Sequence, residues 1–161
     1  MKKIFNEQPK LLLIDLDDTL FDTTGQLDAS HKDILSITLF PYSKILLGKI
    51  TCPKILISRG DPEIQNEKID VLGIRGYFDQ IIICGTDEEK EKIFKEKISE
   101  YKIDDALSVW VIGNRIDTEI RFGNLLGCTT IHLKWGKHKD IEPKDKYEIS
   151  NHTVLLLEEI F

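Results

Sequence analysis

The chain has 161 residues, a mass of 18.6 kDa and a formal net charge of −6, with 41% hydrophobic and 31% charged residues. That length supports one domain with a real core and leaves little room for a second. No apolar run approaches the roughly 20 residues of a membrane span, the opening MKKIFNEQPK has no apolar signal core, and a pI of about 5.3 argues against nucleic-acid binding by bulk charge.

A cytoplasmic protein without a membrane partner is therefore expected. Cys52, Cys84 and Cys128 are odd in number and far apart, with no CxxC pair. They read as reduced thiols rather than a zinc site.

The chain alternates. A first apolar run, Leu11 to Ile14, reads as a buried strand. The stretch 20–53 reads as a flap or short insertion over the end of that strand, with short helical patterns from His31 to Phe40 and from Tyr42 to Leu47. A second strand covers Ile55 to Ile57. A helix from Pro62 presents Ile64, Ile69 and Leu72 on one face and stops at Gly73. A third strand covers Ile81 to Ile83. A charged helix capped by Thr86 follows, with Asp87, Glu88 and Glu89 at its positive end and Ile93, Phe94, Ile98 and Tyr101 inward.

Val109 to Ile112 is the fourth strand. A third helical face runs from Ile116 through Ile120 to Leu125 or Leu126 and closes at Gly127. Thr129 to Leu133 is the fifth strand. Residues 134–161 read as a polar loop and a C-terminal helix whose apolar piece, Val154 to Ile160, packs back on the sheet. Continuous hydrophobicity suits strands covered on both faces. Strand–helix alternation predicts a doubly wound, Rossmann-like parallel sheet in three α/β/α layers, as a single domain over 1–161.

Ligands of such sheets sit beyond the carboxyl ends of the strands. Those ends carry Asp15-Leu16-Asp17-Asp18-Thr19, Ser58-Arg59-Gly60, Cys84-Gly85-Thr86 ahead of a lysine-rich helix, and Gly113-Asn114-Arg115-Ile116-Asp117-Thr118-Glu119. Carboxylates, a hydroxyl, an ammonium and an amide on one edge suit a hard cation plus a phosphate. Asp15 and Asp17 would face one side of a continuing strand. Paired carboxylates repel unless a cation or proton intervenes. Magnesium would settle that charge and leave an oxygen of Asp15 free to attack phosphorus, with Asp17 moving the proton.

The segment LLLIDLDDTLFD resembles motif one of the haloacid dehalogenase-like (HAD) superfamily, an apolar strand followed by DxDxT. KILIS resembles motif two, and SVWVIGNRIDTEI resembles motif four, in the expected order. The resemblance runs from about Lys10 to Leu133 and implies a HAD-like hydrolase of phosphatase type. It implies Asp15 as nucleophile, Asp17 as general acid/base and Thr19 as support for the turn. Ser58 and the amide of Arg59 would bind phosphate. Lys90, three residues before Ile93, would be the lysine of motif three, with Lys92 as runner-up. Magnesium would bind Asp15, Asp17 and Asn114, with Asp117 and Glu119 in support. Motif four departs from the family's usual GDxxxxD: Asn114 stands where an acid is expected and Glu119 supplies the later acid. That departure opens an alternative, a catalytically weak HAD-like domain that binds phosphate or a partner. A dehalogenase would lack the second acid, Asp17.

Neither the stretch from Thr19 to Ser58 nor that from Ser58 to Lys90 is long enough for a large cap domain. An uncapped site would admit a small or macromolecular phosphorylated substrate, or be closed by a second copy in a homo-oligomer. Phe21, Asp22, Thr23, Thr24 and His31 are the flap's candidates for contact with the leaving group. Trp135 and His138 are candidates for the rim, and His132 reads as a sheet-end residue.

Overall fold

In chain order the strands are β1 (Leu11–Ile14), β2 (Lys54–Arg59), β3 (Gln80–Cys84), β4 (Val109–Gly113), β5 (Thr129–Leu133) and β6 (His152–Val154). In the computed structural model, which describes residues 3–161, they form one sheet in the order β3-β2-β1-β4-β5-β6, and every neighbouring pair is parallel. The order reverses at β1. Crossovers on either side of it send helices to opposite faces, which is the doubly wound α/β arrangement.

Side chains alternate between two cores. Leu12 and Ile14 of β1, Leu56 of β2 and Trp110 and Ile112 of β4 face one of them. There they meet α1 (Ser43–Lys49) through Leu46 and Leu47, and α2 (Pro62–Leu72) through Ile69 and Leu72. Leu11, Leu13, Ile55, Ile57, Val109 and Val111 face the other. That side is covered by Phe94 of α3 (Asp87–Glu100) and Phe122 of α4 (Arg121–Leu125), whose rings meet edge to face at 6.1 Å. All four side chains of β1 are buried, so each truncation to alanine there is expected to cost about 2–5 kcal/mol.

Local signals explain the helix ends. Asp61 accepts the amides of Glu63 and Ile64 at the start of α2, with Pro62 in its first turn, and Gly73 ends it at φ +64. Thr86 accepts the amide of Glu89 at the start of α3. Before α4, residues Ile116–Ile120 form a wide π-helical turn.

The structure differs from expectation in three places. The helical pattern from His31 to Phe40 forms only a 3₁₀ turn, Ile34–Ser36. Ile37 is extended, Leu39 bridges Phe21 and Phe40 precedes Pro41, a position biased away from helix. The C-terminal region holds the edge strand β6 and two 3₁₀ turns, Lys146–Glu148 and Leu157–Glu159, rather than a helix. Ile64 is 49% exposed, and Gln65 and Lys68 are buried on α2 in its place. Among the described residues no helix is long and apolar enough to cross a membrane.

Candidate active site

Where β1 ends, the Asp15 amide still donates to the carbonyl of Ile112 on β4 at 3.1 Å. The chain then turns sharply. The amides of Thr19 and Leu20 donate to the Leu16 carbonyl at 3.2 and 2.9 Å, and Asp18 takes φ +54, which aspartate tolerates better than most residues. The turn sends the two expected catalytic carboxylates to different partners around one cavity of about 300 Å³.

Asp15 meets Lys90. Its Oδ1 accepts from Lys90 Nζ at 3.0 Å, and the same ammonium reaches Glu119 Oε1 at 2.5 Å. All three side chains are buried. Burial pushes the Asp15 carboxyl up to about 7; Lys90 opposes this, while Glu119 and Asp17 add to it. Burial alone would lower the pKa of Lys90, but the Asp15 and Glu119 carboxylates reverse that and hold it above its ordinary value. Glu119 Oε2 also accepts the backbone amide of Arg115 at 3.2 Å.

Asp17 meets α2 and the flap. Oδ1 accepts from Lys68 Nζ at 2.8 Å and from Thr23 Oγ1 at 2.9 Å, and Oδ2 accepts from Gln65 Nε2 at 2.8 Å. Gln65 Nε2 also donates to Ser58 Oγ at 2.6 Å, which leaves the Ser58 hydroxyl proton free for another acceptor. Asp18 is buried too. Its carboxylate takes the Thr24 amide and hydroxyl at 2.8 and 2.7 Å, and burial raises its pKa.

Asp15, Asp17, Arg59, Lys90, Asn114 and Glu119 line the same cavity. Ser58 is buried at its edge through Gln65. Arg59 sends its guanidinium to Asp87 at 3.0 Å. Lys92 is not at the site: its side chain is 76% exposed and stands 3.7 Å from Glu96. Asp117 turns away as well and grips Arg115 at 3.1 and 2.9 Å. Thr19 is fully buried, yet its hydroxyl finds no partner among the described residues, so its side chain holds no part of the turn by hydrogen bonding.

Of the flap and rim candidates, Thr23 and His138 line the cavity, and Phe21 belongs to the core. Asp22 accepts from Trp135 Nε1 at 3.0 Å, and His31 is exposed. His132 Nε2 lies 3.1 Å from the Asn114 carbonyl.

The donor set fits a hard divalent cation. Asn114 is 3% exposed and lines the cavity, and its side-chain amide has no hydrogen-bond partner among the described residues. Beside it lie carboxylates whose mutual repulsion a cation would relieve.

Gln65 and Lys68 are the site residues that sequence reasoning missed. They share an inward stripe with Ile69 and Leu72, and they occupy its end nearer the carboxyl edge of the sheet. Polar residues at inward positions of the first helical turns were the available signal.

No family model matches the chain. Its fold is that of the haloacid dehalogenase-like hydrolases, the class that its ordered motifs resemble. The chain matches the HAD-hydrolase YfnB from Bacillus subtilis, solved bound to magnesium, with a TM-score of 0.71 at 13% identity, over 96% of this chain and 97% of that one. It matches L-2-haloacid dehalogenase from Xanthobacter autotrophicus with a TM-score of 0.69 at 11% identity, over 95% and 97%.

Among curated sequences, it is similar to proteins named glyceraldehyde 3-phosphate phosphatase. The Methanocaldococcus jannaschii protein is 27% identical over 98% of this chain and 70% of the relative. The Methanopyrus kandleri protein is 30% identical over 56% of this chain, which spans 40% of that relative's length.

Proposed function

We propose that the chain is a magnesium-dependent phosphatase acting through an aspartyl-phosphate on Asp15. The buried Asp15–Lys90–Glu119 cluster, facing the same cavity as Asp17, is the observation that carries the reading. Lys90 occupies Asp15 Oδ1, so Oδ2 is the attacking atom. Oδ2 forms a bond to phosphorus as the ester P–O bond breaks, and Asp17 gives its proton to the leaving oxygen. Water then attacks phosphorus, Asp17 recovers a proton from it, and the acyl phosphate P–O bond breaks to release phosphate and Asp15. The Ser58 hydroxyl, the Arg59 amide and the Lys90 ammonium are the donors for phosphoryl oxygens. Magnesium, held by the Asp15 and Asn114 side chains and the backbone carbonyl of Asp17, would neutralise charge on the phosphoryl group.

The names of the curated relatives support a small phosphomonoester, with glyceraldehyde 3-phosphate the first to test. The one-domain organisation and the cytoplasmic setting belong to the same proposal. So does an open site that takes a phosphorylated substrate directly or is closed by a second copy.

The test is hydrolysis of p-nitrophenyl phosphate and a panel of phosphorylated metabolites, with and without magnesium, by wild type and Asp15→Asn. Magnesium-dependent turnover lost in the variant supports the proposal, and beryllofluoride that modifies no aspartate at saturating metal sinks it. Asn114 favours a second reading, because an amide offers the cation an oxygen without charge. A domain that binds phosphate or a partner and turns over poorly would give equal, near-zero rates in both proteins.

A further inference from the structure

We infer that Lys68 and Gln65 are positioning residues for Asp17, a role that rests on the phosphatase reading above. They lie three residues apart on α2 and converge on one carboxylate, Lys68 on Oδ1 at 2.8 Å and Gln65 on Oδ2 at 2.8 Å. Thr23 completes the grip on Oδ1 at 2.9 Å. Three donors thus fill both acceptor sites of Oδ1 and one of Oδ2. The remaining lone pair of Oδ2 is the one left for a substrate.

Exposure separates anchor from tool. The Lys68 side chain is 9% exposed and that of Asp17 is 29% exposed. The ammonium lines the cavity beside the carboxylate, its Nζ 5.9 Å from the centre of the Phe21 ring, and Asp17 is its one salt-bridge partner among the described residues. Desolvating a lysine is costly, and this one faces no second acid that a purely structural ion network would use. Gln65 adds a link that Lys68 cannot. Its Nε2 also holds Ser58 Oγ at 2.6 Å, so one amide sets the proton-transfer group relative to a phosphate donor. Gly60 leaves room for this side chain: a Cβ there, at φ +153, would stand 3.0 Å from Gln65 Cγ.

Correct aim of Asp17 matters in proportion to how badly the leaving oxygen needs a proton. An alkoxide needs one as its bond to phosphorus breaks; a dinitrophenolate departs without it. General acid catalysis is worth roughly 100- to 10,000-fold where it is needed. A residue that only stabilises the fold would lower both reactions alike.

The experiment compares kcat/KM, which reports steps up to aspartyl-phosphate formation, for 2-glycerol phosphate and 2,4-dinitrophenyl phosphate in magnesium. Lys68→Met is expected to lose about 100-fold on the alkyl ester and less than about tenfold on the aryl ester. Lys68→Arg is expected to recover most of the loss, since it restores a cationic donor. Gln65→Leu carries the test if thermal melting shows Lys68→Met to be unfolded. Equal losses on the two esters overturn the inference while leaving the phosphatase reading intact. Wild type no faster than Asp15→Asn on either ester overturns that reading, and the inference with it.

Discussion

Lys90 Nζ stands 2.5 Å from Glu119 Oε1 and 3.0 Å from Asp15 Oδ1, so one buried ammonium bridges a residue after β1 and a residue after β4. The three groups come from sequence positions 15, 90 and 119, and their charges are tolerable only together. Removing the cation leaves two buried carboxylates without compensation. Lys90→Met is expected to lose about 3–5 kcal/mol of stability as well as turnover, measured by urea unfolding and by hydrolysis. A stability change under about 1 kcal/mol would mean that water reaches these acids freely.

Gly113 has no room for a side chain. A Cβ there would lie 2.6 Å from both Cβ and Cγ of Glu119. These atoms are near the backbone and cannot swing away, so Gly113→Ala is expected to displace Glu119 from Lys90. The expected cost is about 1–3 kcal/mol of overpacking, together with loss of turnover. A melting temperature equal to that of wild type, with full activity, contradicts this.

Magnesium is expected to raise the melting temperature of the wild-type protein at neutral pH. At about 100 times its Kd a bound ion adds about 2.7 kcal/mol. Asn114→Leu removes the unpartnered amide from the cavity and is expected to abolish that rise, whereas Asn114→Asp adds a charged oxygen ligand and is expected to shift the midpoint to lower magnesium. The same shift in all three proteins would place the metal elsewhere.

His152 packs edge-on against Phe5, ring centres 4.8 Å apart, and burial lowers its pKa below the ordinary value of 6.5. The folded protein therefore takes up this proton less readily than the unfolded chain. The stabilising difference is present above the unfolded value and is lost as pH falls through the lowered one. Between about pH 7.5 and about pH 5.5, wild type is expected to lose more stability than His152→Gln, read by thermal melting. Parallel losses would show that this ring does not contribute.

The strands were legible because a strand buried on both faces must be apolar throughout, and β1 begins and ends where its apolar run does. Helix ends made α2 and α3 legible in the same way, through Pro62, Gly73 and Thr86. Asp15, Asp17, Asn114 and Glu119 could be named because each follows a readable strand. Lys68 and Gln65 could not, since polarity on a surface helix ordinarily means solvent, and only the packing of α2 against the turn after β1 reverses that expectation.

Amphipathic period, caps and strand ends, all local, thus determined the α/β alternation and the edge at which chemistry is carried. The choice of Lys90 over Lys92, the separate partners of Asp15 and Asp17, and the outward turn of Asp117 belong to the tertiary structure. Each depends on which groups share a desolvated space, and burial sets charge against charge between residues that lie far apart along the chain.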